Sequence, residues 1–364
     1  MGTIMVKIKN RLKTTQLGTY VRNYRWNKAI LSRENAIKTV ERFAGDVDSR
    51  EKELLVNDIL DVAKKYRFSA NEYFYYHFRD KDETERKSFI SDLNRIVFCE
   101  RLNDPKNLPI FDDKSKTYEI FGKYYKRDVC CVKGAKDAKA FSGFVDKHNR
   151  FILKPISDSC GRGIKIIDLS EESCNENKLS LLVNEYCKKV GSFIAEEIIV
   201  QVPEMAKFHP ASLNTVRIAT VLYDDGPEII AAFMRTGRGD SIVDNAGAGG
   251  VFGTIDISNG SILAVGDEFG KSYTCHPDTG EQMVGFEIPH WGEAVELGKA
   301  LAKVVKGNRY AGWDLALTDR GWVMVEGNAR GQFVWQIPIQ KGFMTQANMI
   351  LERLGLKKIN KLGV

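Results

Sequence analysis

The chain has 364 residues, of which 43% are hydrophobic and 28% are charged. This composition is typical of a folded globular protein and excludes wholesale disorder, and the length allows more than one compact unit. The formal net charge of +6 favours anionic ligands only mildly and is too small to indicate nucleic-acid binding.

The seven cysteines include no Cys-x-x-Cys pair. We therefore expect free thiols in a reducing compartment, and neither a disulfide scaffold nor a zinc site. No apolar run reaches the length of a membrane span, and the N-terminus lacks the apolar core of a signal peptide. The sequence predicts a cytoplasmic protein with no membrane span and no nucleic-acid partner.

The first part of the chain is predicted to be mainly helical, after a basic arm over residues 1–25 for which we favour exposure to solvent. Between residues 26 and 101, apolar side chains recur at spacings of three and four, which predicts helices. Ser69 and Glu72 form a capping-box pattern ahead of the aromatic run Tyr73–Phe78, which we expect to be helical core. Asp104-Pro105 and Leu108-Pro109 then indicate a boundary near residue 109.

Strands and helices alternate beyond that boundary. A helix is predicted to begin near Asp113, and the strand Arg150–Pro155 leads into a polar loop over residues 157–163 that contains Gly-x-Gly. Backbone N–H groups of such a loop can surround phosphates, and Lys154 can add a point charge. The loop is neither a Walker motif nor a dinucleotide fingerprint, and a plain hairpin turn is the competing interpretation.

Two carboxylates then fall on one apolar strand, Phe193–Val200, where Glu196 and Glu197 stand side by side. Recognition of an adenine amino group and ribose hydroxyls is one explanation. An ion pair with a neighbouring lysine is the other. Gln201 and Glu204 follow at the rim of the strand, where sugar hydroxyls could be held.

A run of β-hairpins begins at residue 212. Arg217 and Arg235 alternate with apolar neighbours on two of its strands, which suits anion recognition and surface exposure about equally. Residues 244–250 form a second glycine-rich segment, suited to closing over a ligand. His276 lies in a polar loop, where a lone histidine is more often structural than catalytic.

The most informative stretch is the predicted hairpin Asp314–Leu317 and Trp322–Val325, joined by the turn Thr318–Gly321. Its open end carries Asp314, Glu326 and Asn328. Two carboxylates and an amide oxygen suit Mg²⁺, which takes few protein ligands and completes its shell with water and phosphate. Arg330 would project toward the same place as a partner for phosphate.

In this order, the motifs resemble the ATP-grasp superfamily over about residues 110–355, and most closely its sugar-transfer-associated and glutamate-ligase-like members. The resemblance implies an α+β fold in which two α+β lobes clasp ATP, preceded here by a mainly helical N-terminal region. The expected divisions are 1–109 for the helical region with its arm, 110–200 for the small lobe and 201–364 for the large lobe with the metal site.

The resemblance also implies roles for individual residues. Phosphate contacts are expected from Lys114, Lys154, Ser159, Gly161, Arg162 and Gly163. Adenine and ribose contacts are expected from Glu196, Glu197, Ile199, Gln201 and Glu204, with Gln201 and Glu204 competing for the ribose. Asp314, Glu326 and Asn328 would hold two Mg²⁺ ions. Arg217, Arg235 and Arg330 would steady the transferred phosphate and the acceptor carboxylate. The substrate would meet Asn214, Asn245, Gly249, Gly250 and His276.

The implied activity is an ATP- and Mg²⁺-dependent carboxylate–amine ligase that forms an amide bond through an acylphosphate and releases ADP. Its partners would be a small-molecule carboxylate, sugar- or amino-acid-derived, and an amine. A kinase on the same scaffold and a non-catalytic nucleotide-binding interaction protein are the alternatives. The oligomeric state stays open, with a homodimer among the options. The helical region before residue 110 departs from the alternating α/β domain that many relatives have there, which leaves the origin of the acceptor pocket open.

Overall fold

The computed structural model describes residues 24–157, 161–169, 176–244 and 249–359. They form two compact units. The first unit takes the described residues up to Pro105 together with Glu268–Ser272 and those from Gln332 onward, and the second takes Lys106–Asp267 and Tyr273–Gly331. The predicted divisions at residues 109 and 200 stay a prediction.

The first unit is helical, as the sequence predicts for the N-terminal region. Its helices are α1 Arg33–Phe43, α2 Ser49–Tyr66, α3 Ala70–Tyr75, α4 Glu83–Ser88 and α5 Asp92–Leu102, and near the C-terminus α12 Gln336–Ile339 and α13 Met344–Arg353. Polar caps begin several of them: the Ser32, Asp48 and Ser91 side chains each accept from a backbone N–H in the first turn. Such caps satisfy donors that the helix cannot pair internally.

The capping box predicted at Ser69 and Glu72 is present at the start of α3. The aromatic run that follows is core, as expected, with Tyr73, Tyr76 and Phe78 buried. The helix is shorter than predicted, because it ends at Tyr75 and His77 adopts the left-handed conformation, with φ of 47°. His77 then leads into the 3₁₀ turn Phe78–Asp80, and its Nε2 lies 2.9 Å from the Gly270 carbonyl oxygen.

The second unit contains two antiparallel sheets. The smaller has the strand order β1-β4-β2-β3 and the larger the order β11-β10-β5-β6-β7-β8-β9. The smaller sheet comprises β1 Val129–Val132, β2 Arg150–Pro155, β3 Lys165–Asp168 and β4 Phe193–Glu197. The larger comprises β5 Thr215–Tyr223, β6 Gly226–Thr236, β7 Val251–Ile255, β8 Ile262–Asp267, β9 Ser272–Tyr273, β10 Tyr310–Thr318 and β11 Gly321–Asn328.

Helices cover both sheets. They are α6 Leu108–Asp112, α7 Lys114–Tyr125, α8 Ala138–Val145, α9 Glu176–Val190, α10 Pro203–Ala206 and α11 Trp291–Ala302. The smaller sheet packs its apolar face on α8 and α9 through Phe141, Phe151 and Phe193. The larger sheet buries Trp313 against Phe111 and Phe121 of α6 and α7. This confirms the α+β class, with apolar faces paired as layered folds require.

Within the described part of the chain, no helix combines the length and the apolar character that crossing a membrane requires.

Candidate active site

The candidate site lies in the second unit, where β10 runs between β5 and β11. Asp314 on β10 is paired with Arg217 on β5 and with Glu326 on β11. Asn328 on β11 is paired with Gly312, two residues before Asp314. Because residues two apart on a strand share a face, Asp314, Glu326 and Asn328 come together on one side of the sheet.

A register shift in the β10–β11 pair determines this arrangement. Leu315 pairs with Met324, but Asp314 pairs with Glu326, so Val325 is an extra residue on β11. Without this bulge, Val325 would stand opposite Asp314. Bulges of this kind redirect side chains next to functional sites. Here the bulge brings the second carboxylate beside the first.

The carboxylate of Asp314 is held by two arginines. Arg217 donates from Nε to Oδ1 at 2.5 Å and from Nη2 to Oδ2 at 2.6 Å, and Arg235 Nη2 lies 3.0 Å from Oδ2. Asp314 is 1% exposed. Burial raises the pKa of Asp314, but Arg217 and Arg235 outweigh that effect and bring its pKa below the ordinary value. The carboxylate is therefore ionised.

Arg235 also reaches a third carboxylate, that of Asp244. Its Nη2 lies 3.4 Å from Asp244 Oδ2, and the same oxygen accepts a short hydrogen bond from Thr215 Oγ1. Burial raises the pKa of Asp244 above its ordinary value, against the lowering effect of Arg235. Asp244, beyond the end of β6, thus continues an alternating series of acidic and basic side chains with Arg235 on β6, Asp314 on β10 and Arg217 on β5.

Lysines approach from the other side of the site. Lys114, the first residue of α7, has its Nζ 3.9 Å from Glu326 Oε1. Lys154 on β2 donates to Glu196 Oε2 at 2.9 Å. Burial raises the pKa of Glu326, and the positive charge of Lys114 opposes that rise. Two carboxylates and one amide therefore lie among two lysines and two arginines, which is a setting suited to phosphate and a hard cation.

Most of the sequence matches one known family. The sequence profile of the family described as sugar-transfer associated ATP-grasp matches residues 93–352. The chain belongs to this family.

Solved structures similar to this ATP-grasp protein include the ligase PsnB complexed with a minimal precursor, at 14% identity and a TM-score of 0.41, covering 70% of this chain and 63% of that one. The VanG D-Ala:D-Ser ligase from Enterococcus faecalis has 12% identity and a TM-score of 0.44, covering 70% and 64%. N5-carboxyaminoimidazole synthetase from Staphylococcus aureus, complexed with ADP, has 12% identity and a TM-score of 0.41, covering 70% of this chain and 58% of that one.

The chain thus spans less than two thirds of the length of these three structures. No curated protein matches it.

The glycine loop of the ATP-grasp protein is described from residue 161, and Ser159 lies outside the described residues. Gly161 and Gly163 both have φ of 72°, which an L side chain rarely adopts. A Cβ on Gly163 would lie 2.8 Å from Pro155 Cγ, and Tyr186 Oη donates to the Gly163 carbonyl at 2.5 Å. Arg162 is exposed between the two glycines. Gly163 therefore lies close against Pro155, the last residue of β2.

The two hinge glutamates make ion pairs. Glu196 is buried against Arg127 and Lys154, so the ion-pair alternative left open by the sequence is present. Glu197 accepts from the Asp128 N–H at 3.0 Å and from Arg320 at 2.8 Å. The side chains of Glu196 and Glu197 are thus both engaged within the protein.

The segment after β4 lines a cavity of about 100 Å³ together with the β10–β11 turn, with Ile198, Ile199 and Val200 among the lining residues. Gln201 is the next residue after this segment. Its side chain donates from Nε2 to the Ser212 carbonyl at 2.8 Å and accepts from the Asn214 N–H at 3.0 Å. Both ends of the Gln201 amide are therefore used, whereas Glu204 is exposed.

The side chains expected to meet the substrate are largely enclosed. Asn214 is fully buried and donates to the Met205 and His209 carbonyls. His276 is 1% exposed, with Nε2 3.0 Å from the Gly237 carbonyl and Nδ1 accepting from the Asp278 N–H. Both side chains hold loops in place and neither presents a donor to solvent.

The other expected substrate and catalytic residues lie in different surroundings. Gly249 has φ of 88° and Gly250 is buried, while Asn245 lies outside the described residues. Arg330 is half-buried two residues beyond β11. Arg217 and Arg235, expected at the transferred phosphate, are both bound to Asp314 in this structure.

The sequence analysis did not assign three residues of the site: Arg127, Thr215 and Asp244. Asp244 heads the glycine-rich segment, and that position was an available signal. Arg127 has no local signal, because its partner Glu196 is 69 residues away.

The side-chain oxygens of Asp314, Glu326 and Asn328 are ligands of the kind that Mg²⁺ prefers. Among the described residues, no cluster of three or more His, Cys, Asp or Glu side chains forms a metal site. The candidate set has instead two carboxylates and an amide, and Asn328 Nδ2 already lies 3.4 Å from Asp314 Oδ2.

Proposed function

We propose that this ATP-grasp protein is an ATP- and Mg²⁺-dependent ligase that joins a small-molecule carboxylate to an amine and releases ADP. The observation that carries the proposal is the pairing of Asp314 with Glu326 across the β10–β11 bulge, flanked by Arg217, Arg235 and Lys114. Phosphoryl transfer depends on positioning and charge neutralisation, and this group of side chains supplies both.

The roles follow from charge and position. Lys114 and Lys154, with the loop at residues 161–163, would hold the phosphates of ATP. Asp314, Glu326 and Asn328 would hold Mg²⁺, which when bound neutralises charge that develops on the phosphate oxygens. Arg235 lies between Asp314 and Asp244, where a guanidinium can receive an acceptor carboxylate.

The ligase chemistry needs no nucleophilic side chain. The acceptor carboxylate oxygen attacks the γ-phosphorus, the bond to the bridging oxygen of ADP breaks, and an acylphosphate forms. The amine then attacks the acyl carbon, phosphate leaves, and the ammonium proton is released. The Cys130 and Cys131 thiols are poor nucleophiles, since burial raises the pKa of both.

The test is a turnover assay with ATP and Mg²⁺ against a panel of amino acids, uronic acids and sugars, with hydroxylamine as the surrogate amine. ADP and phosphate appearing together with a hydroxamate would support the ligase and identify its acid. ADP with the phosphate retained on a product would make the protein a kinase. ATP binding without turnover across the panel would favour the nucleotide-binding interaction protein.

Glu326→Gln is the variant for the metal assignment. It keeps the size of the side chain, and we expect it to lower ADP formation on the order of 100-fold or more. Glu287→Gln removes an exposed carboxylate from the same unit and serves as the matched control. Equal turnover in the two variants would contradict the assignment of Glu326, and so would full activity in the presence of a metal chelator.

A further inference from the structure

Arg127, between α7 and β1, uses its whole guanidinium inside the protein. Nε and Nη2 donate to Glu196 Oε2 at 3.0 and 2.8 Å. Nη1 donates to the Tyr125 carbonyl at 3.2 Å and to the Met324 carbonyl at 2.7 Å. The Arg127 side chain is 3% exposed. Arg127 is therefore fixed on three sides, and one of them is the strand that carries Glu326.

The oxygen that receives Arg127 also receives Lys154. Lys154 Nζ lies 2.9 Å from Glu196 Oε2, so three donors converge on one carboxylate oxygen. The group contains two positive charges and one negative charge, with a net charge of +1. Glu196 is 2% exposed, and electrostatic interactions are stronger in a buried site because the local dielectric constant is lower than in water.

The position of Lys154 on β2 matters for its role. Leu153 and Pro155 on either side of it are buried in the smaller sheet, and Lys154 points to the opposite face. Its ammonium is anchored at Glu196. Burial raises the pKa of Glu196, but Arg127 and then Lys154 outweigh it and bring that pKa to about 2, so the carboxylate is ionised near neutral pH.

We propose that Arg127 is a positioning residue for phosphate binding: it neutralises Glu196, so that Lys154 stays fixed on that carboxylate while the positive charge of the cluster remains available to the phosphates of ATP. This inference rests on the proposed function, which places the phosphates at Lys154. Without Arg127, Glu196 and Lys154 would form a closed neutral pair that competes with the phosphates.

The test is a double-mutant cycle read by nucleotide affinity. The variants are Arg127→Met, Glu196→Gln and the two combined, with Lys154→Met as the reference for loss of the lysine. Affinity is measured by titration with ATP and Mg²⁺, and with adenosine as a competitor that has no phosphate. Thermal unfolding of each variant is recorded alongside.

Arg127→Met is expected to weaken ATP binding about tenfold or more, because Glu196 then neutralises Lys154 and weakens its charge-assisted contact with the phosphates. Adenosine affinity is expected to change less than about threefold, and Glu196→Gln in the Arg127→Met background is expected to restore ATP affinity to within about threefold of the unaltered protein. A purely structural role for Arg127 would lower ATP and adenosine affinity together and would not be rescued by Glu196→Gln.

ATP affinity unchanged in Arg127→Met, or no recovery in the double variant, would overturn the inference. If Arg127→Met does not fold, Glu196→Gln decides alone: ATP affinity equal to or higher than that of the unaltered protein would support the inference, because the charge that Arg127 offsets is then absent. ATP affinity as low as in Lys154→Met would overturn it, because the negative charge of Glu196 would then favour phosphate binding instead of opposing it. Absence of ATP binding by the unaltered protein would reject the proposed function itself, which is a separate result.

Discussion

Glu72 is a buried carboxyl group whose protonation should control the stability of the helical unit. Its Oε2 accepts from the Ser69 N–H at 2.7 Å and from Ser69 Oγ at 2.8 Å, and its Oε1 accepts from the Asp92 N–H at 2.6 Å. Burial raises the pKa of Glu72 to about 7, with a contribution from the Asp92 charge, and the three donors oppose the rise. Glu72 links the start of α3 to the start of α5.

The sign and size of the effect follow from linkage. The folded pKa lies above the ordinary value of 4.5, so the folded state holds the proton more tightly than the unfolded state. The stabilisation is complete below about pH 4.5 and is lost as the pH rises through 7. At about 1.4 kcal/mol for each tenfold change in proton affinity, the loss amounts to about 3 kcal/mol.

Hydrogen exchange of the intact chain measures the pH-dependent stability of α3 and α5. Amides of α3 and α5 are expected to be less protected at pH 8 than at pH 5, after correction for intrinsic exchange, and Glu72→Gln should remove that difference. Glu85→Gln is the matched control, because Glu85 closes a second capping box that is exposed. Protection that increases with pH in the unaltered protein would refute the reasoning, since it would mean that the three donors outweigh burial.

Three further changes test the packing of the second unit. Asp314→Asn should lower the free energy of unfolding by about 3–5 kcal/mol, because it leaves a buried arginine without its counter-charge; a loss under about 1 kcal/mol in urea denaturation would contradict the ion pair. Gly163→Ala should destabilise the protein more than Gly191→Ala, because both glycines have positive φ but only Gly163 would place its Cβ 2.8 Å from Pro155; equal melting temperatures would argue against that clash. Gly237→Ala would place a Cβ 2.5 Å from a serine hydroxyl, and should cost about 1–3 kcal/mol in urea denaturation unless the loop shifts freely.

Features encoded over a few residues were predictable from the sequence. The capping box at Ser69 and Glu72 is present, the strand Arg150–Pro155 has the predicted bounds, and the hairpin that turns at residues 318–321 carries Asp314 and Glu326 on facing strands. Each depends on local chemistry: a cap, an alternating apolar pattern, or a polar turn.

Features that depend on pairing between distant segments were not predictable. The β-bulge at Val325 places Glu326 opposite Asp314. The sequence of β11 does not indicate that this strand contains an unpaired residue. The helix through the aromatic run ends at Tyr75, because His77 takes a left-handed conformation that propensity did not indicate.

The partners of charged side chains were the least accessible part of the site. The residues around Arg217 left anion recognition and surface exposure equally open, and its partner Asp314 could be read only from the β5–β10 register. Glu196 was recognised as a carboxylate that needs a reason for its burial. The reason includes Arg127, which is distant in the sequence and has no motif of its own.

The contact of Arg127 with the Met324 carbonyl has a consequence for self-association. β11 is an edge strand of the larger sheet, and an edge strand offers backbone groups to which a second chain can add. Arg127 occupies the Met324 carbonyl, and Lys126 Nζ donates to the Arg320 carbonyl at 3.0 Å just before the strand. Two cationic side chains therefore stand along this edge, and another strand would have to displace them before it could pair there. The opposite edge, β9, is only two residues long. Both borders of the seven-stranded sheet are thus poor templates for aggregation.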